Sequence, residues 1–176
     1  MRRFFVLLVA VSLVFAGALT QSVRAAGDWY VSTTGNDTND CRSLATACRT
    51  IGVAIERADA TEGTVRDSIG VAAGIYVENL VISKDVSISG DTSGTIIDGG
   101  GNGPVITIVG ARVEISRVTI QNGRGGILNQ GTLELRDTVV TGNQASRGGG
   151  IYSEGPLSVY ESIIANNEAG FGCAGV

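Results

Sequence analysis

Along most of this chain apolar residues alternate with polar ones, as in Leu133-x-Leu135 and Leu157-x-Val159, in short runs separated by Gly and Asn. Alternation at period two marks a half-buried β-strand, because successive side chains point to opposite faces of a sheet. The runs also repeat. Residues 126–143 (GILNQGTLELRDTVVTGN) and 150–167 (GIYSEGPLSVYESIIANN) align without a gap at a constant offset of 24, pairing Ile127 with Ile151, Gly131 with Gly155, Leu133 with Leu157, Leu135 with Val159, Val140 with Ile164 and Asn143 with Asn167. An earlier copy, Val113-x-Ile115-x-x-Val118-x-Ile120, falls on Leu133-x-Leu135-x-x-Thr138-x-Val140 at an offset of 20, so the spacing changes in a turn while inward positions keep register. A strand unit of this size cannot bury its apolar face alone and must stack on its neighbour. The pattern predicts an all-β fold, a right-handed parallel β-helix in which each repeat is one coil, with Leu133, Leu135, Val140, Leu157, Val159 and Ile164 pointing inward.

The period changes once. Ile51, Ala54, Ile55 and Ala58 share one face at a spacing of 3.6, which predicts a short amphipathic helix with Thr50 as N-cap and Gly63 as stop. With a strand over 28–32 and a polar loop over 33–40, this helix makes an N-terminal cap across 26–66 that covers the open end of the first coil. Coils follow over 67–83, 86–98, 105–123, 126–143 and 150–167, about five within the span 67–167. The remaining 168–176 is a Gly-rich tail with no helix pattern to close the stack. The C-terminal coil is therefore expected to be open and to permit self-association.

The GGGIY at Gly148–Tyr152, and the Val140-x-x-Asn143 and Ile164-x-x-Asn167 spacings, resemble the repeats of polymorphic outer-membrane proteins. From about Asp28 onward the chain resembles the right-handed parallel β-helix, or pectin-lyase-like, superfamily. Its stretches WYVSTTGND, CRTIGVAIERA and IGVAAGIYVENLVI resemble the N-terminal cap and first coil of bacterial secreted β-helix proteins. The resemblance implies a fold and leaves the activity open, since one fold hosts many functions.

Met1-Arg2-Arg3, an apolar run from Phe4 to Leu19 and the small residues flanking Arg24 predict a signal peptide over 1–25, cleaved after Ala25. The apolar run is shorter than the roughly 20 residues that span a bilayer, so no transmembrane span is expected after cleavage. A secreted or cell-surface location follows. Loss of Arg2, Arg3 and Arg24 reduces the 13 basic residues to ten against 17 acidic ones, a net charge of −7. Such a chain has no basic cluster with which to neutralise phosphates, which argues against nucleic acid and anionic lipid as partners.

Three groups of residues carry candidate chemistry. Cys41 and Cys48 have six residues between them, and disulfides persist in exported chains. A metal pair is the competing reading, but the sequence has no His and Cys173 is remote, so a four-ligand zinc site is hard to assemble. A Cys41–Cys48 disulfide is expected, with Cys173 left over. Asn143 and Asn167 share one column and read either as ligand contacts or, the favoured reading, as a stacked amide ladder that satisfies a tight turn. Stacking also places Glu114 over Glu134, and Arg117 over Asp137 over Glu161. These five make a candidate ligand or cation face, since carboxylates bind calcium and Arg pairs with carboxylates. The favoured reading is a solvated ladder of ion pairs, each worth about 0–1 kcal/mol. Repulsion between Glu114 and Glu134 leaves a weak case for calcium, and no other cofactor is expected.

Function divides into three classes. The leading one is an exported, non-catalytic β-helix domain for surface display, adhesion or glycan binding, with a polysaccharide or cell-surface partner. The second, implied by the resemblance, is a polysaccharide lyase or glycoside hydrolase on uronate-containing glycans. Such lyases use calcium-held carboxylates with an Arg or Lys base, and such hydrolases use clustered Asp residues. Here Lys84 is the sole lysine, and Asp98, in IIDGGG, reads as a turn residue. The third is a truncated or assembly unit of a longer β-helix protein whose open end docks on another chain.

Overall fold

The computed structural model describes residues 28–58 and 66–170, so the expected signal peptide, Gly63 and Cys173 lie outside the described residues. The chain opens with β1 (Asp28–Val31), a 3-10 turn at Leu44–Thr46 and α1 (Ile51–Arg57). Five strands follow: β2 (Asp67–Val71), β3 (Gly74–Val77), β4 (Leu80–Ile82), β5 (Val86–Gly90) and β6 (Thr95–Asp98). The rest are β7 (Ile106–Ser116), β8 (Val118–Gln121), β9 (Ile127–Arg136), β10 (Val139–Thr141), β11 (Gln144–Ala145), β12 (Ile151–Ser153), β13 (Leu157–Tyr160), β14 (Ile163–Ala165) and β15 (Glu168–Ala169).

All of these strands pair in parallel; β11 and β15 form a separate pair, and the others stack into the three faces of a β-solenoid. The first face runs β4, the first half of β7, the first half of β9, then β12. The second runs β1, β2, β5, the second halves of β7 and β9, then β13. The third runs β3, β6, β8, β10, β14. The count of about five coils is corrected to four complete turns and one two-sided turn, β2 with β3. That first turn lacks a strand on the first face, and α1 packs there against β4 instead.

The offsets of 20 and 24 are the structural registers. Val113 pairs with Leu133 and Leu133 with Leu157, while Ile120 pairs with Val140 and Val140 with Ile164. Inward side chains form continuous columns. Trp29, Ile69, Ile88, Ile115, Leu135 and Val159 are consecutive partners, and all but Val159 are buried. Burying an Ile or Leu contributes about 1.5–3 kcal/mol, so the columns are the main source of stability. Of the six residues expected inside, Leu133, Leu135 and Val140 are buried. Leu157 and Ile164 are only partly covered, and Val159 is 39% exposed because no further coil covers it among the described residues. The Gly131 and Gly155 of the repeat sit where backbones of successive coils meet at a corner. A Cβ on Gly155 would overlap the Gly131 carbonyl oxygen, and one on Gly131 would overlap that of Ala111.

A seven-residue helix is too short to be stable alone, so its ends need partners. At the N-terminus Thr50 Oγ1 accepts the Val53 N–H at 3.4 Å, as expected of the N-cap. Glu78, between β3 and β4, accepts the N–H of Ile51 on Oε1 and of Gly52 on Oε2, both at 2.9 Å. At the other end Lys84 donates to the carbonyls of Glu56 and Ala58, each at 2.6 Å. The expected apolar face, Ile51, Ala54, Ile55 and Ala58, is buried. Beside it Cys41 and Cys48 are fully buried at disulfide distance, with Cα atoms 4.9 Å apart.

Candidate functional site

The corner between the second and third faces is turned by one left-handed residue per coil: Arg117 (φ 55), Asp137 (φ 46) and Glu161 (φ 49). This is the column expected from the repeat. The conformation is unfavourable for residues with a Cβ, although Asp tolerates it better than Arg or Glu. Stacking does not pair the charges, however. Arg117 points to the preceding coil, donating from Nε to the Gly90 carbonyl at 3.1 Å and from Nη2 to Ser89 Oγ. No ion pair joins Arg117 to Asp137 or Glu161, and neither carboxylate has a hydrogen-bond partner among the described residues.

Arg117 and Asp137 line a groove of about 480 Å³. Its other wall comes from the turn between β5 and β6, with Asp91 and Thr92, and its floor from Val118, Thr119 and Val139. Asp91 accepts the Ser93 N–H at 2.7 Å. That bond, with the Ser93 hydroxyl and the nearby Arg117 charge, holds the Asp91 carboxyl below its ordinary pKa. The groove therefore offers two carboxylates, a guanidinium with unused N–H groups and threonine hydroxyls. Donors and acceptors of this kind suit a ligand rich in hydroxyl groups. Glu161 of the same column does not line it.

Glu114 and Glu134 lie in register on the outer side of the second face. Their repulsion is answered by arginines that pattern reading missed. Arg136 reaches Glu134 Oε1 at 2.5 Å and Glu114 Oε1 at 4.0 Å, and Arg66 reaches Glu114 Oε2 at 3.3 Å. The guanidinium of Arg136 also stacks over the Tyr160 ring, 4.4 Å from its centre. The hydrogen bond to Glu134, followed by the charges of Glu134 and Glu114, raises the Arg136 pKa. The carboxylates that would have held calcium are thus already neutralised by protein cations. Among the described residues no group of three or more His, Cys, Asp or Glu is placed to hold a metal ion.

Asn143 and Asn167 are a ladder within the wall of the solenoid. Asn143 Oδ1 accepts the Gly123 N–H at 2.9 Å, and its amide donates to Ile120 O, Thr141 O and Asn167 Oδ1 at 3.0–3.1 Å. Asn167 repeats the arrangement, accepting the Asn143 N–H at 3.1 Å and donating to Val140 O at 2.9 Å. With its polar atoms committed to backbone, Asn143 is not available to a ligand. Asp98 is likewise a turn residue: it accepts from the Gly100 N–H, Gln121 and Asn122 at 2.9–3.0 Å. The Gln121 bond is the largest influence holding its carboxyl below the usual range.

Asp91 and Thr92 were missed because they precede a strand in a turn that has no counterpart in the later coils. The signal was present in part, since a departure from constant coil length marks the loop that builds a wall. No protein-family model and no curated protein matches the sequence.

Proposed function

We propose that the chain is exported and serves as a non-catalytic parallel β-helix domain that binds hydroxyl-rich glycans at the corner groove, as a display or adhesion module of the cell surface. The carrying observation is that Arg117, Asp137, Asp91 and Thr92 converge on one groove while the Asp137 carboxylate keeps its hydrogen-bonding capacity unused. Rigid strands hold the corner, so little ordering cost attends binding. The lyase alternative is disfavoured by Arg117 itself. A base must offer a lone pair to its substrate, whereas this guanidinium carries only N–H donors and has two of them committed to Gly90 O and Ser89 Oγ.

The test is titration of the mature protein, residues 26–176, with neutral oligosaccharides, alongside incubation with polygalacturonate and calcium while unsaturated ends are followed by ultraviolet absorbance. Binding should weaken about tenfold in Asp137→Asn, the loss expected for a hydrogen bond to a charged group. No absorbance should develop. Absorbance that disappears in a folded Arg117→Ala variant would establish the lyase instead. Export is checked by the N-terminus of the protein recovered outside the cytoplasm, which should begin at Ala26.

A second reading, assembly through the last coil, is favoured by one observation. Val159 occupies an inward column yet is 39% exposed, and Tyr160 and Ile163 beside it are exposed as well. A strand edge with an apolar surface of this kind invites pairing with further β-structure. Sedimentation should then show a concentration-dependent dimer, weakened by Val159→Lys; a monomer at high concentration would remove this reading.

A further inference from the structure

A second groove lies on the opposite side of the third face, where the chain turns from that face to the first. The turn from β8 to β9 has five residues, 122–126, and the turn from β10 to β12 has nine, 142–150. The longer turn projects and walls a groove of about 290 Å³, lined by Pro104, Arg124, Leu128, Ala145, Arg147 and Tyr152 among others. Leu128 and Tyr152 are register partners on adjacent strands, so their outward side chains stand side by side as a partly exposed apolar floor.

Two features distinguish this groove from an ordinary surface hollow. The first is its charge. Among the described arginines the side chains of Arg42, Arg57, Arg66, Arg112, Arg117 and Arg136 have partners within the protein, and Arg49, which stands away from this groove, has none. The guanidinium groups of Arg124 and Arg147, which share this groove, have no hydrogen bond, ion pair or ring contact among the described residues. Two unpaired guanidiniums beside one apolar floor, in a chain of net charge −4, form a local site for an anion. The second is its rigidity. Gly148 has φ +52, and a Cβ there would meet the Ile151 carbonyl, while one on Gly149 would overlap the Glu168 carbonyl and one on Gly126 that of Gly150. Backbone packs on backbone at Gly148 and Gly149 of this turn, and the Gly126 N–H donates to Gly149 O at 3.0 Å. The wall is held in place before any ligand arrives, which lowers the cost of binding.

We propose that this groove binds a small ligand in which a carboxylate is joined to a ring with an apolar face. The guanidinium fork matches a planar carboxylate in two parallel hydrogen bonds, and the ring lies on Leu128 and Tyr152 against Pro104. The volume suits a single ring of this kind. This site is separate from the corner groove and does not depend on the glycan-binding reading.

The experiment is an NMR titration of the mature protein with benzoate and cyclohexanecarboxylate as ring carboxylates, benzamide as the neutral counterpart of benzoate, acetate as a carboxylate without a ring, and glucuronate as a sugar acid. Benzoate and cyclohexanecarboxylate should shift the Nε–H signals of Arg124 and Arg147 and the amides of Leu128 and Tyr152 saturably. Benzamide and acetate should bind at least about fivefold more weakly, since each lacks one of the two recognised parts. In the double variant Arg124→Gln with Arg147→Gln, benzoate affinity should fall about tenfold while benzamide binding stays as it was. Saturable binding of glucuronate at the same residues also supports the site, and its affinity relative to benzoate tells which kind of ring is preferred. Shifts that do not saturate, that map elsewhere, or that are equal for benzoate and benzamide overturn the proposal, as does benzoate binding unchanged in the double variant. Both arginines are exposed and unpartnered, so the variant should keep the wild-type Tm. Were it to unfold, the wild-type footprint and the benzoate-to-benzamide ratio decide alone.

Discussion

Asn167 receives both N–H groups that Asn143 directs toward the next coil: the backbone N–H at 3.1 Å and the side-chain amide at 3.0 Å converge on its Oδ1. Asn143 gives the same service one coil earlier, to the Gly123 N–H, and is 1% exposed where Asn167 is only half-buried. Asn143→Ala strands that N–H and frees the carbonyls of Ile120 and Thr141 from their donor, a loss of about 2–4 kcal/mol for buried groups left unmade. Asn167→Ala should cost about 1 kcal/mol, because solvent can replace its bonds. Urea unfolding of the two variants measures the difference. Equal losses would show that burial does not grade the ladder.

Leu135 and Val159 are partners in one inward column, and they differ in what lies beyond them. Leu135 is fully buried between Ile115 and Val159, so Leu135→Asp places an unpaired charge in a dry stack and should unfold the protein, since the penalty of several kcal/mol rivals its total stability. Val159→Asp, at a position already 39% exposed, should cost no more than about 1 kcal/mol and leave strand content intact. Circular dichroism distinguishes the cases. A folded Leu135→Asp protein would sink the coil register.

The register was legible because a slip of one residue would turn every apolar side chain of a strand outward, and alternation such as Leu133-x-Leu135 allows only one choice. The helix was legible for the same reason, its apolar face running through Ile51, Ala54, Ile55 and Ala58. What holds the helix was not. Glu78 and Lys84 reach it from 26 to 28 residues away, and local pattern carries no trace of such pairing. At the corner the column Arg117, Asp137 and Glu161 was readable as a stack, but the direction of each side chain follows from its left-handed backbone, and Arg117 turns toward Ser89 and Gly90 rather than Asp137. Similarly, Glu114 over Glu134 could be read from the offset, while their neutralisation by Arg66 and Arg136 depends on how long side chains fold across the sheet. Grooves depend on turns of unequal length, which repeat analysis treats as gaps.

Glu78 should leave a signature in the pH dependence of stability. Burial, only partly offset by the Gly52 and Ile51 N–H bonds, raises its pKa above the ordinary 4.5. A raised carboxyl pKa means that the folded state binds its proton more tightly than the unfolded chain does. Its contribution is then fully present below 4.5 and is lost as pH rises through the folded value. Asp98 and Asp91, whose pKa values are lowered from 3.8, act oppositely and only below that value, so the windows do not overlap. Relative to Glu78→Gln, the wild type should gain stability as pH is lowered from 7 toward 4.5. Denaturant midpoints at several pH values provide the measurement, and parallel curves for the two proteins would rule the effect out.

Arg136 gives the last prediction, because it separates an internal ion-pair ladder from a vacant cation site. Its guanidinium reaches both Glu134 and Glu114, whose backbones are register partners, and it stacks on Tyr160. The arginine is exposed and both glutamates are partly exposed, so the ladder itself contributes little, and Arg136→Ala should leave the Tm nearly unchanged. The sharper consequence concerns calcium. Removing the guanidinium leaves Glu134 without a cation and Glu114 with Arg66 alone, so two stacked carboxylates become available to a hard divalent ion. Millimolar calcium should therefore raise the Tm of Arg136→Ala and leave that of the wild type unchanged at constant ionic strength. Replacing calcium with an equivalent concentration of sodium should abolish the rise, since screening alone acts on both proteins alike. If the wild type responds to calcium as strongly as the variant, the ion enters despite Arg136, and the column is a metal site rather than a self-neutralised ladder.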